Sequence, residues 1–252
     1  MAITAAEYWL ISRLAQAGLL PAAPHVLECG QNNWYGDVPL ETFGRDIYRV
    51  LADPESRLGC FRELDAIART EMPARLFDIA RLFFRVFLEY ASLSSIDLGG
   101  TEVAAKLDLN QPFEADRAFD VTVNFGTGQH VFDVHQFFKT IHDHTAPGGL
   151  MLHGMPITGA PDDGFYHVHP TLYWDLALAN DYEVLMLLYV EIEPFKVREL
   201  TRREDVAAMA QRGEIGPRAS VYAALRRGAA ASEFRTPIQG RYLTELTGAG
   251  AR

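Results

Sequence analysis

At 252 residues and 28.1 kDa the chain is long enough to bury a full core and short for two catalytic domains, so one domain spanning 1–252 is expected. Hydrophobic residues make up 48% and charged residues 22%, a balance that excludes low-complexity disorder and a fibrous chain. With 23 basic against 33 acidic residues the net charge is −10, a sign that disfavours phosphate backbones and anionic membranes and argues against a nucleic-acid partner.

Residues 4–17 place Tyr8, Trp9, Ile11, Leu14 and Ala15 at helical spacing, and Gly18, Pro21 and Pro24 stop the pattern. The run from His25 to Gly30 is short, apolar and closed by glycine, which predicts a buried strand feeding a functional loop. From about 37 to 90 the pattern is helical in pieces, Cys60–Thr70 and then Pro73–Tyr90, with Pro73 suited to a first turn. Further strands are predicted at Leu93–Leu98, Lys106–Asn110, Phe119–Gly126, Gly148–Met155, Glu183–Ile192 and Ser220–Arg226. Helical patterns fill 131–144 and 170–180, and a charged outer segment, 193–218, carries another at 204–212.

Strands separated by helices predict an α/β, Rossmann-like, doubly wound sheet of seven mostly parallel strands. The stretch between Gly30 and Asp97 is far longer than one crossover needs, so 37–90 reads as a helical insertion after strand 1. It is either a cap over a site or a surface for a homodimer. Residues 228–252, with glycine at 228, 248 and 250, read as a loose tail. Cys29 and Cys60 are too few for a disulfide framework or a zinc site, which fits a reducing cytoplasm. Neither a signal peptide nor a membrane span is expected, because Glu7, Arg13 and Gln16 interrupt the first apolar stretch.

In open α/β sheets ligands bind outside the carboxyl ends of the strands. Here those ends carry Glu28-Cys29-Gly30, Asp97, Asp108 and Asn124-Phe125-Gly126-Thr127-Gly128 in order. An acidic group after the second strand can accept both hydroxyls of a ribose, and one after the third can receive an adenine amine. Singly, each is equally well a solvated cap; their order is what points to a nucleoside.

With the Pro147-Gly148-Gly149 turn, the segment FDVTVNFGTGQHVFD, the segment IHDHTAPGGLMLHGMP and the Gly164-Phe165-Tyr166 stretch, the chain over about 25–190 resembles the class I S-adenosylmethionine-dependent methyltransferases. The likeness is to a bacterial small-molecule branch with a Gly-Thr-x-x-His-Val-Phe motif. That resemblance implies S-adenosylmethionine as cofactor, a small-molecule substrate and a role in secondary metabolism. It implies cofactor contacts at Glu28, Gly30, Gln31, Asn32, Asp97, Leu98, Asp108, Leu109, Asn124, Phe125 and Gly126. The sequence departs from the family's acidic-x-Gly-x-Gly-x-Gly loop, since Asn32 and Trp34 stand where the later glycines belong. Such a loop must be rebuilt, with Gly36 the next glycine available.

Seven of the eight histidines lie between 130 and 169. His142/His144 and His167/His169 have strand-like metal-ligand spacing, but the first pair falls in a helical pattern, and no metal is expected. His130, after the Gly126-Thr127-Gly128 turn, is the candidate proton acceptor, with a helix cap as its plainer role. Tyr166 is the candidate to face a sulfonium cation, with loop anchoring as the alternative. The expected activity is methyl transfer to a small molecule. Two alternatives stay open: intramolecular cyclisation of the cofactor's aminobutyryl chain to an azetidine-type amino acid with release of methylthioadenosine, and a catalytically inactive binding scaffold.

Overall fold

The computed structural model describes residues 1–230 and 232–242. Two compact units divide the chain, Met1–Asp108 and Leu109–Arg252.

The first unit opens with β1 (Ala2–Ile3) and α1 (Ala5–Gln16), whose start is a capping box: Thr4 Oγ1 accepts from Ala6 N while Glu7 reaches back to Thr4 N at 2.8 Å. Strand β2 (His25–Cys29) follows, then β3 (Asn33–Trp34), which pairs in parallel with β1. Three helices come next, α2 (Leu40–Val50), α3 (Pro54–Ile67) and α4 (Ala74–Leu88). They return the chain to β4 (Ser92–Ile96), parallel to β2, with Glu28 opposite Ser95. Helix α3 starts earlier than its apolar spacing predicts because Asp53 caps it, accepting from Ser56 N at 2.7 Å, with Pro54 in the first turn. The core of this unit is aromatic. Tyr8 of α1 meets Trp34, Phe43, Phe83 and Phe87 at ring-centroid distances of 5.2–6.3 Å, and Trp34 stacks on Phe43 at 5.5 Å. The inserted helix α4 therefore contributes to the core itself, burying Phe83, Phe84 and Phe87.

The second unit runs β5 (Phe119–Phe125), α5 (Val134–His144), β6 (Thr145–Thr158), α6 (Thr171–Asn180), β7 (Glu183–Glu191), β8 (Lys196–Glu199), α7 (Asp205–Gln211) and β9 (Ala219–Arg226). Its strand order is β5-β6-β9-β7-β8. β5 and β6 are parallel across the α5 crossover, while β9 pairs antiparallel with β6 and β7, and β8 antiparallel with β7. The fold is α/β and Rossmann-like. Its pairing is mixed, however, where the sequence pattern predicts mostly parallel strands.

Leaving aside the two-residue β1 and β3, the described strands number seven, as expected, but one member differs. The predicted strand Lys106–Asn110 is absent: only a bridge between Ile96 and Ala105 forms, and Leu107 is exposed. Its place in the count is taken by β8, whose charged sequence Lys196-Val197-Arg198-Glu199 suits an edge strand and hides its period. Residues 232–240, inside the expected loose tail, are tied down. Arg235 N donates to Asn180 Oδ1 at 2.7 Å, Asn180 Nδ2 donates to Arg235 O at 2.9 Å, and Gly240 N donates to Asp175 Oδ1 at 3.0 Å. Residues 243–252 of that tail lie outside the described residues. No helix among the described residues is long and apolar enough to cross a membrane.

Candidate functional site

In the first unit the carboxyl ends of β2 and β4 carry one acid each. The register that sets Glu28 opposite Ser95 lets Ser95 Oγ donate to Glu28 Oε2 at 2.5 Å. Glu28 Oε1 accepts from Asn32 N at 3.2 Å and from Asn32 Nδ2 at 2.9 Å. The carboxyl is buried, and desolvation raises its pKa above the ordinary carboxylate range although the Ser95 and Asn32 hydrogen bonds pull the other way. Beside it, burial pushes the Cys29 thiol up to about 12, which keeps it protonated and unreactive.

Gly30 turns the chain with φ of 92°, a conformation open to glycine, and its N–H donates to Ile96 O at 2.7 Å. The next amide, Gln31 N, donates to Asp97 Oδ2 at 2.9 Å, and Gly99 N donates to Asp97 Oδ1 at 2.7 Å. Gln31 then closes a clasp over the same turn: its Oε1 accepts from Thr101 N at 2.7 Å and its Nε2 donates to Thr101 Oγ1 at 2.9 Å. Lys106 Nζ donates to the carbonyls of Gly100 and Thr101. No helix follows this loop directly; the chain enters β3 instead, and the first helix after it begins at Leu40. Leu98, next to Asp97, is 69% exposed, and Asp108 is also exposed.

In the second unit Asn124, at the end of β5, spends its side chain on the loop that follows. Its Oδ1 accepts from Thr127 N at 3.2 Å and Gly128 N at 2.9 Å, and its amide lies 3.2 Å from His153 Nδ1 on neighbouring β6. Phe125 is in the core, Leu109 is buried, and Gly126 N donates to Gly154 O at 2.9 Å. The loop turns through a short 3-10 segment, Gly128–His130, and leaves His130 Nε2 3.5 Å from Asp163 Oδ1 with both side chains about half exposed. Asp133, rather than His130, caps α5, accepting from Gln136 N at 2.9 Å.

The segment after β6 is bound to this loop through its backbone. Phe165 N and Tyr166 N both donate to Gln129 O, at 2.6 and 3.3 Å. Gly164 has φ of 92°, and a Cβ there would lie 2.7 Å from Gln129 O. The Tyr166 hydroxyl donates to Phe132 O at 2.8 Å, and Phe132 and Phe165, both largely exposed, meet edge to face at 5.8 Å. Thr127 Oγ1 and Gln129 Oε1 are buried there without a partner.

The remaining histidines disperse. His142 is held between Tyr182 Oη at 2.6 Å and Ser232 O at 2.8 Å, His144 stacks on Phe113 at 4.1 Å, and His167 Nε2 bonds Gly159 O at 2.6 Å. Among the described residues no three His, Cys, Asp or Glu side chains gather as a metal site. Thr127 and Gln129 fall within the Gly-Thr-x-x-His-Val-Phe stretch, but Asp163 carries no sequence signal, and nothing in the order of residues shows that 127–132 and 163–166 meet. Asn32 was legible as a departure from glycine, but its bond to Glu28 was not.

No family model matches the chain, and no curated protein matches it. Solved structures similar to it include the N-methyltransferase NodS from Bradyrhizobium japonicum WM9 in complex with S-adenosyl-L-homocysteine, 16% identical, covering 88% of this chain and 86% of that one, TM-score 0.40. The [4+2]-cyclase SpnF is 12% identical, covering 88% of this chain and 81% of that one, TM-score 0.43. The StiE O-MT is 11% identical, covering 96% of this chain and 78% of that one, TM-score 0.40. At these identities the likeness assigns no residue a role.

Proposed function

We propose that the chain is an S-adenosylmethionine-dependent methyltransferase acting on a small molecule. The observation that carries this reading is the pose of Asp97. Its carboxylate stands at the end of a parallel strand, fixed by two backbone amides that take one lone pair from each oxygen. Each oxygen keeps a second acceptor site, which is what the two hydroxyls of a ribose require. The partly buried carboxylate and the exposed Leu98 side chain beside it fit a nucleoside. Asn32 Oδ1, buried without a donor, fits a ligand that brings a donor to the Gly30–Asn32 loop.

When bound, the cofactor supplies an electrophilic methyl group on a sulfonium. In this reading Asp97 would hold the ribose, Leu98 would cover an apolar ring face, and Asp108 would meet an exocyclic amine. In the second unit, taken by itself, His130 is the candidate proton acceptor, with Asp163 Oδ1 3.5 Å from its Nε2. Tyr166, its hydroxyl engaged with Phe132 O, has its ring held in place to face a cation.

The rebuilt loop favours a second reading, because Gln31 and Asn32 put side chains where a glycine loop leaves space. In that reading Gln31 and Asn32 would hold the cofactor's amino-acid end in another pose, and the cofactor as substrate would close a C–N bond from its deprotonated amine at the carbon whose bond to sulfur breaks, leaving a small cyclic amino acid, methylthioadenosine and a proton. Calorimetry with S-adenosylhomocysteine, followed by incubation with S-adenosylmethionine alone, tests both. A methyltransferase binds the first compound and makes no methylthioadenosine without an acceptor. Enzyme-dependent methylthioadenosine would favour cyclisation, and no binding at millimolar concentration would leave a scaffold.

A further inference from the structure

Helix α3 packs on α2 and α4, burying Leu64 and Ile67, and turns its other face outward. Glu55, Leu58, Gly59 and Arg62, at helical spacing, lie along that face and are all exposed. Leu58 sits one turn from Phe61, whose ring lies 5.6 Å from that of Tyr48 on α2, and the three side chains are 42–46% exposed. Contiguous apolar groups left so open mark a surface that meets a partner.

Gly59 carries the same message. It has no left-handed backbone, and a Cβ there would meet nothing within 4 Å, so neither conformation nor packing within the chain asks for glycine. Gly44 of α2 is different, since a Cβ there would lie 3.3 Å from the Phe61 ring. An exposed glycine inside a helix weakens it relative to alanine, whereas one at a crossing lets a second helix come close.

The order of charges selects the partner. The ion pairs of α3 join Glu63 to Arg85 and Asp65 to Arg69, which leaves Glu55 and Arg62 outside them. These two stand two turns apart, about 10 Å along the axis, with Leu58 and Gly59 between them. A helix of the same sequence laid antiparallel presents a cation where this one has its acid and an acid where it has its cation. We infer that α3 is the seat of a two-fold homodimer, in which two copies of the helix cross antiparallel at Leu58 and Gly59 and Glu55 of each copy meets Arg62 of the other. Every contact then occurs twice, so each substitution is felt twice.

Sedimentation velocity of the full chain between about 1 and 300 μM reads the association. The wild type should move from 28.1 kDa toward twice that mass as concentration rises. Glu55→Lys and Arg62→Glu each set like charges together at both ends of the crossing and should raise the dimer Kd about tenfold or more. Combined in one chain, the two substitutions restore opposite signs in the same places, and the Kd should return to within about threefold of wild type. That rescue belongs to a contact of one α3 with another in this register. Gly59→Gln should also suppress the dimer, yet in the dilute monomer it should melt no lower than wild type, because glutamine is the better helix former. A wild type that stays monomeric across the range overturns the inference. A dimer indifferent to Gly59→Gln overturns it too, placing the contact on another face, as does a loss in the single charge variants that their combination fails to recover.

Discussion

Burial holds the His153 imidazole neutral, its pKa pulled down to about 3, and a neutral ring offers one acceptor nitrogen. Because Asn124 Oδ1 takes the Thr127 and Gly128 amides, Asn124 Nδ2 is the donor toward His153 Nδ1, which places the ring proton on Nε2. The loop's hold on Asn124 therefore sets the tautomer of one core histidine. Between the unfolded value of 6.5 and the folded value the unfolded chain binds the extra proton, so stability is complete above 6.5 and declines as pH falls. The slope from this residue is about 1.4 kcal/mol per pH unit. His142, also lowered chiefly by desolvation, adds in the same direction. Urea unfolding at pH 7, 6 and 5 should show His153→Gln losing stability toward acid less steeply than wild type. Parallel slopes would mean that the ring is charged in the folded protein.

Among the elements, the tie between the 126–130 loop and the 163–166 segment depends on a residue without a side chain. Gly164→Ala forces a positive φ on alanine and drives its Cβ against Gln129 O, so a loss of about 1–3 kcal/mol is expected. Faster amide exchange should follow at 128–132 and 164–166, and unchanged exchange there would show that the tie is dispensable. How legible the elements were follows from their chemistry. β2, β5, β7 and β9 are apolar runs between breakers, and the predicted ends lie within a residue or so of those observed. Lys106–Asn110 misled because two leucines on alternate positions mimic a half-buried strand, although only Leu109 is buried. The start of α3 lies in Asp53-Pro54-Glu55, polar residues ahead of the apolar spacing that marks the rest of the helix. At the site, Glu28 and Asp97 were readable as strand-end acids. Asp163 and Gln129 were not, since their neighbours come from segments more than thirty positions apart in the sequence.

For the molecule as a whole, the helical insertion has two characters that its sequence did not separate. α4 packs on α1 and β3 and supplies rings to the aromatic core of the first unit, whereas α2 and α3 leave a groove of about 440 Å³ lined by residues including Tyr48 and Phe61, both more than 40% exposed. A lid needs a low opening energy, and a helix that completes a core does not have one. Hydrogen exchange should find the α4 amides among the slowest in Met1–Asp108 with or without S-adenosylhomocysteine. Ligand-dependent slowing of α4 comparable to that of residues 30–36 would restore the lid. Trp34, two positions beyond Asn32 and 2% exposed, is the one fully buried tryptophan of the three, and it stacks on Phe43 within a fixed set of rings. An indole so placed absorbs in an asymmetric field and emits as from an oily solvent. The protein thus carries its own optical gauge, whose near-ultraviolet ellipticity registers any shift of the strand-end loop without a label.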